Sequence, residues 1–233
     1  MADTNSTNDA IANIGNIIAA VAALGTASMG LVDASKAFAG GPSNFGFGDI
    51  RTALSPFLPA QGVGAYNRAL LLLTLRANWI NGVDKAEQKA KAKSLIHLGL
   101  SKGNAANLAQ AAGVDPVRLE SLAQKTASGE AATPEEITAL GQFDAILSAV
   151  LDAAYERADQ KYRNGCKAIA TVLATGLGVL AGWFIGGGNL GYVITGLIAG
   201  ITAVPVAPVA KDLVTSLQAA AAAVQTTRRG VRR

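Results

Sequence analysis

The residues able to do chemistry in this chain are few and far apart. The one histidine, His97, sits between Ile96 and Leu98 with no cysteine near it in sequence, so a zinc site is not expected. The one cysteine, Cys166, excludes an internal disulfide. It stands beside an apolar run, where acylation is one option and a plain interfacial thiol the other. The acid pair Glu135-Glu136 follows Thr133-Pro134 and reads as a helix start. Thr133 caps, Pro134 occupies the first turn, and Glu136 reaches back to close a capping box. Two glycine-rich stretches, residues 39–49 and Gly62-Val63-Gly64, lack the Gly-Lys-Ser/Thr continuation and the preceding strand that a phosphate loop needs. No nucleophile stands with a base. The expectation is a non-enzymatic protein with no catalytic residue, no cofactor and no metal ligand.

The informative elements are apolar. From Ala168 to Ala210 there is no charged residue. A membrane crossing takes roughly 20 apolar residues. This run, centred on Gly186-Gly187-Gly188-Asn189, therefore predicts a transmembrane hairpin, fed by a charged helix from Asp152 to Lys167. A buried hairpin of a soluble helical protein is the competing reading, but soluble helices rarely stay uncharged for so long. Positive residues mark the cytoplasmic side. Arg157, Lys161, Arg163 and Lys167 precede the hairpin, and Lys211, Arg228, Arg229, Arg232 and Arg233 follow it. Both ends should then lie inside and Gly188 outside, with Trp183 and Tyr192 at the outer interface.

Residues 11–33 predict a first crossing. The polar tail before it, residues 1–10, is acidic and lacks the positive start of a secretory signal. Asn13 and Asn16 leave a buried or interface-lying helix as the alternative. With the N-terminus outside, all 20 Lys and Arg fall on one side, 15 between Lys36 and Lys167 and five after Ala210. The fold expected is all-α: an integral membrane protein of about three transmembrane helices plus a small helical cytoplasmic domain. That domain covers residues 34–151, the charged helix and hairpin 152–210, and a basic amphipathic tail 211–233.

Small residues recur every four positions: Gly178, Gly182 and Gly186 on the first arm, Gly196 and Gly200 on the second. In lipid such faces let helix backbones approach closely. They could join the two arms, neighbouring subunits, or both. Pro205 and Pro208 predict a kink or break, or a helix that ends at Val204. The net charge is +4, and much of the positive balance flanks the hairpin. Anionic lipid headgroups are thus the expected partner, contacted by Arg157, Lys161, Arg163, Lys167, Lys211, Arg228 and Arg229, with the tail lying on the lipid surface.

The middle of the chain reads as helical. Residues 39–49 predict a membrane-edge loop with Phe45 and Phe47 dipping toward lipid. Residues 65–81 predict a core helix. Asp84 to Lys93 carries four lysines in nine positions and reads as a solvated face. Asn104 to Gln124 has the look of a helix-turn-helix turning at Gly113. Its second helix offers only Arg118, Gln124 and Lys125 as donors, and Glu120 opposes phosphate, so nucleic acid is not expected. Ile137, Leu140, Phe143, Leu147 and Leu151 lie on one helical face. That helix can continue past Tyr162 into the first hairpin arm, which would couple the helical domain rigidly to the membrane.

The segment Phe143–Ile169, FDAILSAVLDAAYERADQKYRNGCKAI, resembles a family of uncharacterised bacterial inner-membrane proteins. Their pattern runs Phe-Asp, Met-Asp-Arg, then Tyr-Lys-Arg, into a two-helix hairpin. Leu151-Asp152 stands at the first pair, Glu156-Arg157 at the second and Tyr162-Arg163 at the third, and Asp212-Leu213 resembles an Asp-Leu pair after the last span. The family's Trp before Phe-Asp and its second basic residue after Tyr are missing. The resemblance covers the C-terminal third and the general layout. It implies an N-terminal transmembrane helix, a helical cytoplasmic region and a C-terminal hairpin in the bacterial inner membrane, and implies no reaction. No carboxylate or base falls inside the uncharged runs Ile11–Val32 and Ala168–Ala210, which argues against a proton relay. The expected role is a self-assembling structural or scaffolding protein. The alternatives are an oligomeric pore lined by Thr171, Thr175, Thr195 and Thr202, and an accessory subunit of a larger membrane complex.

Overall fold

The computed structural model describes residues 4–35, 38, 40–59, 67–100 and 103–231, and among these there is no strand. The helices are α1 (Thr4–Ser35), α2 (Asn44–Leu54), α3 (Arg68–Ile80), α4 (Lys85–His97), α5 (Ala105–Ala112), α6 (Pro116–Ser128), α7 (Pro134–Ile185) and α8 (Leu190–Val231). They form two compact units. A spanning unit holds residues 1–41 and 164–233, and a helical unit holds residues 42–163. Gly62-Val63-Gly64 lies outside the described residues.

The helical unit is built on one stripe of α7. Ala139, Phe143, Leu147, Leu151 and Tyr155 recur at four-residue steps, which places them along one helix face, and all are buried. Against them pack Phe47, Ile50 and Leu54 of α2, Leu71, Leu75 and Trp79 of α3, Leu108 of α5, and Leu119 and Leu122 of α6. Ile137 does not join the stripe; it is 58% exposed. The aromatic contacts are edge-on. Phe57 meets Phe143 at 6.5 Å, and Trp79 meets Tyr155 at 6.2 Å and Tyr162 at 6.4 Å. Trp79 Nε1 donates to the Ser43 carbonyl at 2.6 Å, which satisfies the indole inside the core.

Two segments differ from the sequence expectation. Residues 39–49 are not a membrane-edge loop, because a 3₁₀ turn and then α2 begin inside them. Phe47 is buried in the core; Phe45 points outward. The helical face Phe47, Ile50, Leu54 was hidden by the glycines around it. One of those glycines has a packing reason: a β-carbon on Gly46 would strike the Ala158 carbonyl and the Trp79 ring.

The lysines of α4 are not simply solvated. Lys85 pairs with Asp159 at 2.7 Å, Lys89 with Asp152 at 2.6 Å and Lys93 with Asp144 at 3.4 Å, while Lys91 pairs within its own helix with Glu87. Lysines one turn apart on α4 thus meet acids spaced about two turns apart on α7. Burial alone would raise the Asp159 carboxyl, but Lys85 and Arg163 outweigh it and hold the group below its usual range.

The α5–α6 pair is a short helical hairpin. Gly113 turns it in the left-handed region (φ +67°), and Asp115 caps α6 by accepting from the Val117 and Arg118 amides. Arg118 pairs with Asp115 and Lys125 with Glu136, so two of the donors a nucleic acid would need are engaged.

The start of α7 is clamped. The Thr133 amide donates to Glu136 Oε2 at 2.8 Å, and the Glu136 amide donates to Thr133 Oγ1 at 3.3 Å. Ser121 Oγ and Lys125 Nζ reach Glu136 Oε1 from α6 at 2.7 and 2.8 Å. Lys125, then Ser121 and the Thr133 amide, hold this carboxyl down from the usual 4.5 to about 2. Its folded-state pKa is depressed, so its stabilisation is full above pH 4.5 and is lost as pH falls through about 2. Glu136→Gln should lower the melting temperature of the helical unit at pH 7, and the gap to the parent should close on acidification from pH 5 toward 2. Circular dichroism melts across that window check it; a gap independent of pH would show that charge is not what Glu136 contributes.

Candidate membrane anchor and glycine seam

Among the described residues, three helices are long and apolar enough to cross a membrane. They are the Asn13–Ser35 part of α1 (mean hydropathy 1.8), α7 and the Leu190–Ala210 part of α8 (both 2.0). Helix α7 has 52 residues, or about 78 Å at 1.5 Å per residue, well over twice the roughly 30 Å of a hydrocarbon core. Only its uncharged part, from Ala168, suits that core. Large apolar side chains face outward along the unit, among them Ile17, Val172, Phe184, Ile185, Leu190 and Ile198. Such a surface is unfavourable in water and at home in lipid.

Backbone contact holds these helices together. A β-carbon on Gly178 would overlap the Gly196 carbonyl, and one on Gly196 would overlap the Gly178 carbonyl. Gly182 stands equally close to the Tyr192 backbone, Gly186 to the Tyr192 side chain, and Gly200 to the backbone of Ala174 and Thr175. All five glycines singled out by spacing lie in one seam between the arms of the same chain. The sequence reading missed Gly25 of α1, where a β-carbon would meet the Ala203 carbonyl and the Ala207 methyl of α8. It stands alone, without a partner glycine four residues away, so periodicity had nothing to detect. Ala170, Ala174, Ala203 and Ala210 are buried in the same unit, with Ser28, Val32, Cys166 and Val204.

The hairpin turn uses two left-handed glycines, Gly187 (φ +56°) and Gly188 (φ +87°). Asn189 Oδ1 accepts from the Gly191 amide at 2.8 Å and so caps α8. Trp183 and Tyr192 flank the turn and are both more than half exposed. The threonines bond their own helices: Thr171 to the Lys167 carbonyl, Thr175 to Thr171, Thr195 to Gly191 and Thr202 to Ile198. Pro205 and Pro208 do not break α8, nor does it end at Val204; the helix runs through both to Val231. Residues 211–231 belong to the same helix as the Leu190–Ala210 stretch.

The basic flank is divided. Lys161 Nζ lies 2.7 Å from Asp49, and Arg163 Nε lies 3.0 Å from Asp159. Arg157 and Lys167 are exposed, and among the described residues no ion pair engages them. Lys211, Arg228 and Arg229 lie on the α8 backbone, and their side chains fall outside the described residues. Cys166 is buried. Among the described residues no three His, Cys, Asp or Glu side chains gather as a metal site.

Fold and surface together define an all-α protein with three helices able to span a membrane. No family model, curated protein or solved structure matches the chain.

Leucine at Gly178 or Gly196 should destabilise the hairpin by roughly 1–3 kcal/mol or more, because a rigid opposing backbone cannot move aside. Leucine at Gly176, where a β-carbon meets nothing within 4 Å, should be close to neutral. Unfolding in mixed micelles compares the three; equal stability of all variants would show that the seam does not hold the arms.

Proposed function

We propose that this chain is a non-enzymatic structural or scaffolding protein of a membrane, which self-assembles and displays the helical unit beside the bilayer. The observation that carries this reading is the seam. The interior of the spanning unit is mostly backbone, glycine and alanine, with Ser28, Val32, Cys166 and Val204 beside them, and its serine and threonine hydroxyls donate to their own helices. Such an interior packs; among its described buried residues there is no carboxylate or imidazole to pass a proton. Because the glycine faces are occupied within one chain, self-assembly falls to outward faces, such as Val172, Gly176 and Leu180 on α7.

The exposed Arg157 and Lys167 suit anionic headgroups, at about 1 kcal/mol per basic residue near the surface. Lys161 and Arg163 add less, being paired already. The layout resembled by Phe143–Ile169 supports a bacterial inner membrane, with the N-terminus outside and the bulk of the chain in the cytoplasm.

Native mass spectrometry from lipid nanodiscs, together with ion-flux assays in liposomes, tests the proposal. A defined homo-oligomer without flux is expected. A monomer in nanodiscs would remove self-assembly from the proposal. Flux through purified protein would replace the scaffold with a pore, and a stoichiometric second protein in native extracts would replace it with an accessory subunit.

A further inference from the structure

Helix α4 is held to α7 by a contact that is largely polar. Lys85, Lys89 and Lys93 reach Asp159, Asp152 and Asp144 in turn, so the two helices run antiparallel. The three lysine side chains stay 34–47% exposed, so water and salt screen their pairs. Beneath them α4 buries Gln88, Ala92 and Ile96. Among the described residues, six buried side-chain polar atoms have no hydrogen-bond partner, and five of them lie at this contact or beside it. They are Asn78 Nδ2 near the end of α3, Gln88 Oε1 and His97 Nε2 on α4, and Asp144 Oδ1 and Tyr155 OH on α7. His97 Nε2 and Asp144 Oδ1 lie 2.6 Å apart without completing an aligned hydrogen bond. Buried groups in that condition gain partners once water reaches them. Packing is also incomplete at the far end of α4, where a cleft of 320 Å³ opens beside His97 and Leu100.

We propose that α4 is a releasable latch, which leaves α7 as one piece and lays its lysines on an anionic lipid surface. The helix carries four lysines against one glutamate, Glu87. Lys91 pairs only within α4, with Glu87, and gives up no acid of α7 on release. Release therefore exchanges three screened pairs for headgroups that four lysines can meet, and it hydrates the unpartnered atoms. Ala92 and Ile96 oppose it by leaving the core, which keeps the latch closed beside a neutral bilayer. The helix takes its own support along: Asp84 caps it by accepting from the Ala86 and Glu87 amides. Gly82 (φ +66°) and Gly103 (φ +74°) flank it, and a β-carbon at either would meet nothing within 4 Å, so the chain has room to swing there. The latch rests on the membrane placement proposed above and not on self-assembly.

Electron-spin distance measurements on the full chain in nanodiscs test the proposal. Nitroxides are placed through Ala90→Cys on α4 and Ala149→Cys on α7, both exposed positions, with Cys166→Ser removing the native thiol. In phosphatidylcholine discs one narrow, short distance is expected. Adding phosphatidylglycerol should raise a longer, broader population about fivefold, the effect of about one lysine on an anionic surface. Lys91→Gln should weaken that response while leaving the docked distance in phosphatidylcholine unchanged. Lys85→Gln, Lys89→Gln and Lys93→Gln together should abolish it, and Lys91→Gln covers the case in which the triple variant fails to fold. An unchanged distance in phosphatidylglycerol discs, or a full response in the triple variant, would overturn the latch. Equal release by soluble polyphosphate in neutral discs would overturn the lipid surface as its destination. A chain that enters no disc would overturn the membrane placement and the latch together. A monomeric chain that still releases α4 would support the latch and remove only self-assembly.

Discussion

Where Gly178 and Gly196 meet, two helix backbones touch with no side chain between them. In water, helices associate because apolar surface leaves the solvent; in lipid that force is absent, and close packing must replace it. The hairpin therefore depends on being thin along one line. Everything bulky has been moved off that line. Phe184, Ile185, Leu190 and Ile198 point outward, where hydrocarbon receives them at little cost. Alanines continue the line below, and Gly25 lets α1 approach α8 on the same terms. The order of small inside and large outside is opposite to that of a water-soluble bundle, and it follows from which phase surrounds the unit.

The helical unit solves the water problem in the ordinary way, with one instructive element. Most of its helices dock by apolar stripes, as α7 does with Phe143, Leu147 and Leu151. Helix α4 buries little apolar surface, chiefly Ala92 and Ile96. Its register on α7 is fixed instead by lysines set against Asp159, Asp152 and Asp144. Exposed ion pairs of this sort contribute about 1 kcal/mol or less each and are screened by salt. They specify alignment more than they supply stability, and docking held in this way weakens as salt is raised.

The spans and the glycine seam were legible in the sequence because both are strictly periodic or strictly compositional signals. An uncharged run of this length has few soluble explanations, and glycines four apart mark one face of a helix. The capping box at Thr133–Glu136 was legible because it is local. What the sequence hid was relational. The lysines of α4 look solvated until the acids of α7, more than 50 residues away, are placed opposite them. The glycines around Phe47 suggest a loop until Ala158 and Trp79 show what must approach Gly46. The prolines misled for a different reason: proline disfavours a helix without forbidding it, and a helix already supported on both sides passes through.

That passage of α8 through Pro205 and Pro208 has a cost in hydrogen-bond donors. Neither residue has an amide hydrogen, so the carbonyls of Ile201 and Val204, four residues earlier, have no partner in their own helix. The two oxygens stand less than one turn apart, on neighbouring parts of the helix surface, close to the charged end of the span. In hydrocarbon a bare carbonyl is expensive, so water or a headgroup donor must reach in to meet them. This end of α8 is thus the part of the uncharged run with the greatest call for a polar donor.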